Sequence, residues 1–137
     1  MIELVVRGNP VPQGRPRFFV RNRKDGGKSI GAFDPGQSKS WKETIKWQAL
    51  EQGAKIMDGA LRLHLAFYMP RPKSLPKKIV HHTKKPDLDN LLKAVKDALK
   101  GICYHDDAQV VMLEAAKYYG EEPHVRIILQ GMEETAQ

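Results

Sequence analysis

Four carboxylates and a lysine crowd one part of this chain. Asp87 and Asp89 lie in Lys85-Pro86-Asp87-Leu88-Asp89-Asn90-Leu91-Leu92-Lys93, and Asp106 and Asp107 follow a helix-length later in His105-Asp106-Asp107-Ala108-Gln109. In a protein of formal net charge +7, that concentration of acid is unusual. Hard carboxylate oxygens suit Mg²⁺, which takes one or two carboxylates and completes its octahedron with water and phosphate oxygens. Without a cation, crowded acids repel and raise one another's pKa. A held ion can activate water and polarise a phosphoryl group, and two can steady both attacking and leaving oxygens. Lys93 would then stabilise charge developing on the phosphate or orient the water. These residues point to a metal-dependent nuclease. A second reading takes each group singly: Asp87 as an N-cap, Asp89 and Lys93 as an i,i+4 ion pair, and Asp106-Asp107 as a polar turn.

The elements that must position them follow from local pattern. Pro86 disfavours helix before it and suits an opening turn, so a helix is expected to start near Asp87 to Asp89. Leu88, Leu91, Leu92, Val95, Ala98 and Leu99 then recur at amphipathic spacing, and Gly101 stands where a left-handed C-terminal residue is expected. The other face carries Asp89, Lys93, Lys96, Asp97 and Lys100, so Asp89 and Lys93 project together. Gln109 to Tyr118 reads as a strand, which brings Asp106 or Asp107 back beside the helix if it runs alongside.

Elsewhere, Ile2 to Arg7 reads as a strand broken by Pro10 to Gly14, and Arg17 to Arg21 with Ile30 to Phe33 as a hairpin around Asp25-Gly26-Gly27. Ser40-Trp41-Lys42-Glu43 is a capping-box pattern opening a helix that carries Trp41, Ile45 and Ala49 inward and ends at Gly53. Leu61, Leu63, Leu65, Phe67 and Met69 alternate with Arg62, His64, Ala66 and Tyr68 as a half-buried strand. Gln109 to Tyr118 and Val125 to Gln130 are expected to pair across Gly120-Glu121-Glu122-Pro123 as a terminal hairpin, with residues 131–137 a frayed tail. The sum is α+β: a single small domain over residues 1–137, with a mixed, mostly antiparallel sheet and two main helices packed on one face.

The run KPDLDNLLKAVKDAL followed by GICYHDDAQVV resembles the signature of the RusA family of Holliday junction resolvases, endonucleases of bacteria and their phages. Weaker echoes are the Pro- and Arg-rich stretch from Pro12 to Arg17 and Lys-x-Tyr at Lys117 to Tyr119. The resemblance implies that Asp87, Asp89 and Asp107 are metal-binding catalytic acids and that Lys93 is essential. Asp106 matches the first acid of the later pair. It also implies Mg²⁺ as cofactor, with Mn²⁺ able to substitute, and a homodimer making paired symmetric nicks in four-way DNA junctions during recombination and repair. A C₂ dimer suits that task, because a junction is approximately two-fold symmetric and needs two cuts.

With 137 residues, 41% hydrophobic and 28% charged, the chain has the make-up of one soluble globular domain. It has no apolar run long enough to cross a bilayer and no signal-peptide pattern, so a cytoplasmic location with no membrane partner is expected. The single Cys103 can form no internal disulfide and reads as packing. Two basic runs would flank a negative substrate and supply candidate DNA contacts: Arg15, Arg17 and Arg21 in one, Lys77, Lys78, Lys84 and Lys85 in the other, with Lys117 beyond. Phosphate neutralisation by such residues makes binding fall steeply with salt. Both runs can equally be solvated loops.

His81 and His82 read as surface residues and Trp41 as core. Phe18 and Phe19 are candidate wedges at a branch point, although one of two adjacent strand residues normally faces the core. No glycine-rich phosphate loop, zinc spacing or nucleophile elbow is present, which argues against an NTPase, a zinc module or a serine hydrolase. A non-catalytic branched-DNA-binding or architectural protein stays open as the alternative, as does a general flap or branched-DNA nuclease.

Overall fold

The computed structural model describes residues 1–14, 17–22, 24, 26–33 and 36–133. Among these residues, six strands and two main helices follow in the order β1 (Ile2–Arg7), β2 (Arg17–Asn22), β3 (Lys28–Phe33), α1 (Gly36–Glu51), β4 (Leu61–Pro70), α2 (Leu88–Leu99), β5 (Val110–Gly120) and β6 (His124–Gly131). A 3₁₀ turn at Asp107–Gln109 leads into β5.

The strongly alternating strand is the spine. Leu61, Leu63, Leu65, Phe67 and Met69 of β4 are buried on one face, and β4 pairs on both edges, antiparallel with β6 and parallel with β5. β1 joins β6 antiparallel, giving the sheet order β1-β6-β4-β5, while β2 and β3 form a separate two-stranded hairpin. This is the mixed, mostly antiparallel sheet that the patterns predict.

Both helices cover its apolar face. α1 buries Trp41, Ile45 and Ala49, and α2 buries Leu91, Ala94, Val95, Ala98 and Leu99, against Leu4, Val6, Val125, Ile127 and Leu129 of the sheet. A cross-helix ion pair, Lys42 Nζ to Asp97 Oδ2 at 2.8 Å, ties the helices together. Leu63 is fully buried in this layer. Leu63→Ala is expected to cost about 2–5 kcal/mol of folding stability, read as a lowered urea midpoint at unchanged slope.

Three expectations give way. α1 starts at Gly36, so Ser40 lies a turn inside it instead of capping it. β5 and β6 do not form a hairpin, because β4 lies between them. Their short connection crosses the end of β4, where a Cβ on Gly120 would come 2.9 Å from Tyr68 Cβ, so a side chain there would displace the crossing. Gly131 and Met132, expected in a frayed tail, are tied down: Gly131 pairs with Leu61, and the Met132 N–H donates to Ala60 O. Residues 134–137 lie outside the described residues.

Candidate functional site

The direction of α2 decides where the acids go. β4, α2 and β5 form a parallel strand–helix–strand unit, so α2 runs back along the sheet, from the end of β4 to its beginning. Asp87 is the residue before the first turn, and Asp89 and Lys93 follow on its exposed face. Asp106 and Asp107 lie beyond the other end, where the Gln109 amide donates to Met57 O and Gly59 O, just before β4 begins. A helix of 12 residues is about 18 Å long. The two acid pairs are therefore held at opposite ends of it. β5 does run beside the helix, but it starts at the far end and does not return Asp107 to Asp87. Among the described residues, no three His, Cys, Asp or Glu side chains gather closely enough to hold one ion.

Asp87 and Asp89 are not engaged in the ordinary structural ways. Asp87 sits at the N-cap position with extended φ and ψ, yet its side chain caps nothing. It pairs instead with Lys85, whose Nζ lies 3.1 and 3.2 Å from its two oxygens. Both side chains are solvent-exposed, so the pair contributes little stability. Asp89 and Lys93 share a face without forming an ion pair. The helix N-terminus favours anions here, yet leaves both carboxylates available to a ligand.

The later pair is divided in role. Asp106 caps the 3₁₀ turn by accepting from the Ala108 N–H at 3.0 Å, and the Gln109 side chain accepts from the His105 and Asp106 N–H groups in return. The Ala108 N–H first, and the Asp107 side chain second, hold the Asp106 carboxyl below its usual range. Asp107 caps nothing and is exposed. The neighbouring Tyr104 is fully buried and donates to Lys96 O at 2.6 Å; burial first, then the Asp107 charge, pushes its hydroxyl pKa up. Cys103 is buried as expected, which pushes its thiol up to about 11. It is no nucleophile.

Basic groups gather at the Asp87 end. Lys84 and Lys85 directly precede the acids and are exposed, as are Lys77 and Lys78 in the segment 71–87. The guanidinium of Arg71 shapes that segment, donating to Pro76 O and Ile79 O, a role with no local pattern to announce it. Lys117, also a candidate DNA contact, is engaged within the chain. Its ammonium donates to Lys84 O and Pro86 O, each at 2.7 Å, which pins the backbone that presents Asp87. Arg15 lies outside the described residues, and of Arg17 and Arg21, as of Phe18 and Phe19, only the strand backbone is described. The chain enters that run from Gln13, whose N–H donates to Asn90 O at 2.9 Å, one residue from Asp89.

A groove of about 1100 Å³ opens beside this end, lined in part by Pro10, Pro12, Trp41, His82, Lys85 and Pro86. Among the described residues, Trp41 Nε1 and His82 Nδ1, both buried, have no hydrogen-bond partner. Burial first, then the Lys117 cation, holds the His82 imidazole below its usual pKa, and its ring packs edge-on against Tyr119. Trp47 is 65% exposed on α1, away from the core that holds Trp41. No helix among the described residues is long and apolar enough to cross a membrane.

A basic, grooved helix end bearing two exposed carboxylates invites comparison with known proteins. The chain is 37% identical, over 94% of its length and 95% of the relative's, to the uncharacterized protein YqaN of Bacillus subtilis (strain 168). Residues 7–130, which span both acid pairs, Lys93 and every strand from β2 to β5 with all of β6 but Gly131, match the family described as Endodeoxyribonuclease RusA. The chain belongs to that family.

Proposed function

We propose that this protein is a Mg²⁺-dependent, structure-selective endodeoxyribonuclease that resolves four-way DNA junctions by paired symmetric nicks. It acts as a homodimer during recombination and repair, in the cytoplasm. The observation that carries this reading is the pair Asp87 and Asp89: two carboxylates at a basic helix end, neither capping the helix nor paired with Lys93.

That donor set fits the ion. Two exposed carboxylates beside open solvent leave room for the waters and phosphate oxygens that Mg²⁺ retains, and Mn²⁺ fits the same oxygens. Once bound, the cation supplies an activated water and neutralises charge on the phosphate. Lys93, one turn from Asp89, keeps its ammonium free to stabilise the phosphate as charge develops. Lys117 holds the Lys84–Pro86 backbone and so positions Asp87.

Asp107 completes the site from the second protomer. Within one chain the full length of α2, about 18 Å, separates it from Asp87, too far for one ion, whereas a two-fold dimer can set the Asp107 end of one chain against the Asp87 end of the other. Each dimer then holds two sites, each drawing Asp87, Asp89 and Lys93 from one protomer and Asp107 from its partner. Asp106, occupied with capping, serves to orient Asp107.

Cleavage of an end-labelled four-way junction beside a matching linear duplex, in Mg²⁺ or EDTA, tests the function. Paired nicks on the junction alone, lost with EDTA and in Asp87→Asn, are expected. Equal cutting of the duplex would remove the junction selectivity. Tight binding with no cutting under Mg²⁺ or Mn²⁺ would make the protein an architectural binder instead.

Lys77, Lys78, Lys84 and Lys85, together with Arg15, Arg17 and Arg21, contact the DNA backbone. Replacing Lys77 and Lys78 with Ala is expected to reduce the slope of log binding constant against log salt by about one unit for each phosphate these lysines neutralise, with turnover at saturating DNA unchanged. Fluorescence anisotropy over a salt series reads this, and an unchanged slope removes those lysines from the interface.

A further inference from the structure

Strand register sets a row of rings across the sheet. Tyr68 of β4 stands opposite Tyr118 of β5 on one side and His124 of β6 on the other, and Arg7 of β1 stands opposite His124. The 71–87 segment extends the line, because His81 pairs with Tyr118 as an isolated bridge. The order across the sheet is therefore His81, Tyr118, Tyr68, His124, Arg7. Phe67, Val125 and Val6, the next residues along three of these strands, are buried in the core, so alternation turns the row to the face that the helices leave.

The rings form a continuous surface. Centroids lie 5.6 Å apart for His81 and Tyr118, 5.5 Å for Tyr118 and Tyr68, and 4.3 Å for Tyr68 and His124, the last pair stacked within 10° of parallel. The His124 Nδ1–H donates to Glu122 O at 2.8 Å, which holds that ring in place. None of the four belongs to the hydrophobic core: His81 is exposed and the others are half-buried. Rings already held by their neighbours lose little freedom when another ring stacks on them.

Charge decides what the row fits. Residues 71–85, which the row meets at His81, carry Arg71, Lys73, Lys77, Lys78, Lys84 and Lys85 and no acid. At the other end stands the exposed Arg7. Of the sheet residues on this face, the two carboxylates are neutralised, Glu3 by Arg126 and Glu114 by Arg62 and His64. A cleft of about 490 Å³ follows one flank of the row, lined in part by His64, Ala66, Tyr68, Tyr118 and Arg126 and by no carboxylate. The cleft on the other flank, about 520 Å³, includes Glu121 and Glu122.

We infer that this row is a stacking platform for an unpaired DNA strand, whose bases lie against Tyr118 and Tyr68 from the acid-free cleft while its phosphates meet the cations of residues 71–85. Aromatic side chains accept the face of any base, and that face is open only in a single strand, because a duplex stacks its bases on one another. An anionic strand is also the occupant that cations at both ends of the row, and acids either paired or confined to the other flank, would suit. The 71–87 segment runs from His81 through Lys84 and Lys85 to Asp87, so a strand leaving the acid end has a cationic path to the row. The platform needs neither metal nor cleavage, and so goes beyond the nuclease reading.

Anisotropy of a labelled single-stranded oligothymidine, in EDTA so that nothing is cut, tests it. Tyr118→Ala is expected to weaken binding about tenfold, while Tyr118→Phe, which keeps the ring, binds as wild type does. Both variants are expected to bind linear duplex like the wild type. Should Tyr118→Ala fail to fold, His81→Ala, on an exposed residue, is expected to show the same selective loss. Ultraviolet cross-linking of the wild type to a strand containing iodouracil, read by peptide mass spectrometry, is expected to mark Tyr118 or Tyr68 and to spare Trp47, the 65% exposed ring on α1.

No affinity of the wild type for the oligothymidine, equal loss of duplex and single-strand binding in Tyr118→Ala, or cross-links at Trp47 alone overturns the platform. So does a Tyr118→Ala variant that binds the strand normally but sediments differently, which would make the row a protein contact. The two readings fail separately. Strand binding through Tyr118 without junction cutting keeps the platform and loses the nuclease, whereas junction cutting without strand binding does the reverse.

Discussion

Mixed Asp87→Asn and Asp107→Asn protomers are expected to cut junctions that neither variant cuts alone. If each site draws Asp87 from one protomer and Asp107 from the other, each homodimer has two damaged sites. The heterodimer concentrates both substitutions in one site and leaves the second intact. Random reassortment of an equal mixture then restores about a quarter of the wild-type sites, and an isolated heterodimer nicks one strand without its symmetric partner. Sites built within single chains would show no recovery, since every protomer in the mixture carries a lesion. Co-refolding the two variants with distinct tags, purifying the doubly tagged dimer and mapping its cuts on a labelled junction separates these outcomes. The same assay assigns Lys93. Because Lys93 lies on α2 with Asp89, Lys93→Ala is expected to complement Asp107→Asn and to fail with Asp87→Asn.

Lys93→Ala by itself is expected to lower turnover at saturating junction about 10²–10³-fold, the usual cost of removing one group aimed at transition-state charge. Binding is expected to stay within a few-fold of wild type, because the proposed interface offers many other cations to phosphate and the role proposed for Lys93 is where new charge develops. The geometry supports this split. Lys93 is exposed, one turn beyond Asp89, and among the described residues no carboxylate forms an ion pair with it. Single-turnover cleavage alongside anisotropy binding reads both quantities. A loss of affinity equal to the loss of kcat/KM, with turnover unchanged, would make Lys93 an ordinary phosphate contact.

The elements of the site are legible in the sequence because their signals are local. The spacing from Leu88 to Leu99 describes an amphipathic helix, and Gly101, with φ +81°, ends it as expected. The alternation from Leu61 to Met69 marks the central strand, and Trp41, Ile45 and Ala49 turn inward on α1. The start of α1 is less legible, by a turn. Ser40 with Glu43 imitates a cap, but the helix extends back to Gly36, and Ser38 instead accepts from the Gly14 N–H. Lys117 reads as a DNA contact from its charge and family position, and nothing local reveals that its ammonium reaches backbone carbonyls 31 and 33 residues away.

By itself, the sequence determined the identities and spacing of the acids, the helix that carries Asp89 and Lys93, the strand-rich segments and the family to which they belong. These rest on residues within a few turns of one another, where periodicity and end signals act. Only the tertiary structure decided that β4 separates β5 from β6, that α2 runs back along a parallel pair, and that the two acid pairs stand at its opposite ends. Strand order is chosen by which segments bury the most apolar surface against each other, and the leucine-lined β4 takes two partners for that reason. A short connection such as the one between Gly120 and His124 can join paired strands or pass over one between them, so its length alone leaves the order open. The split of the acids follows from that order.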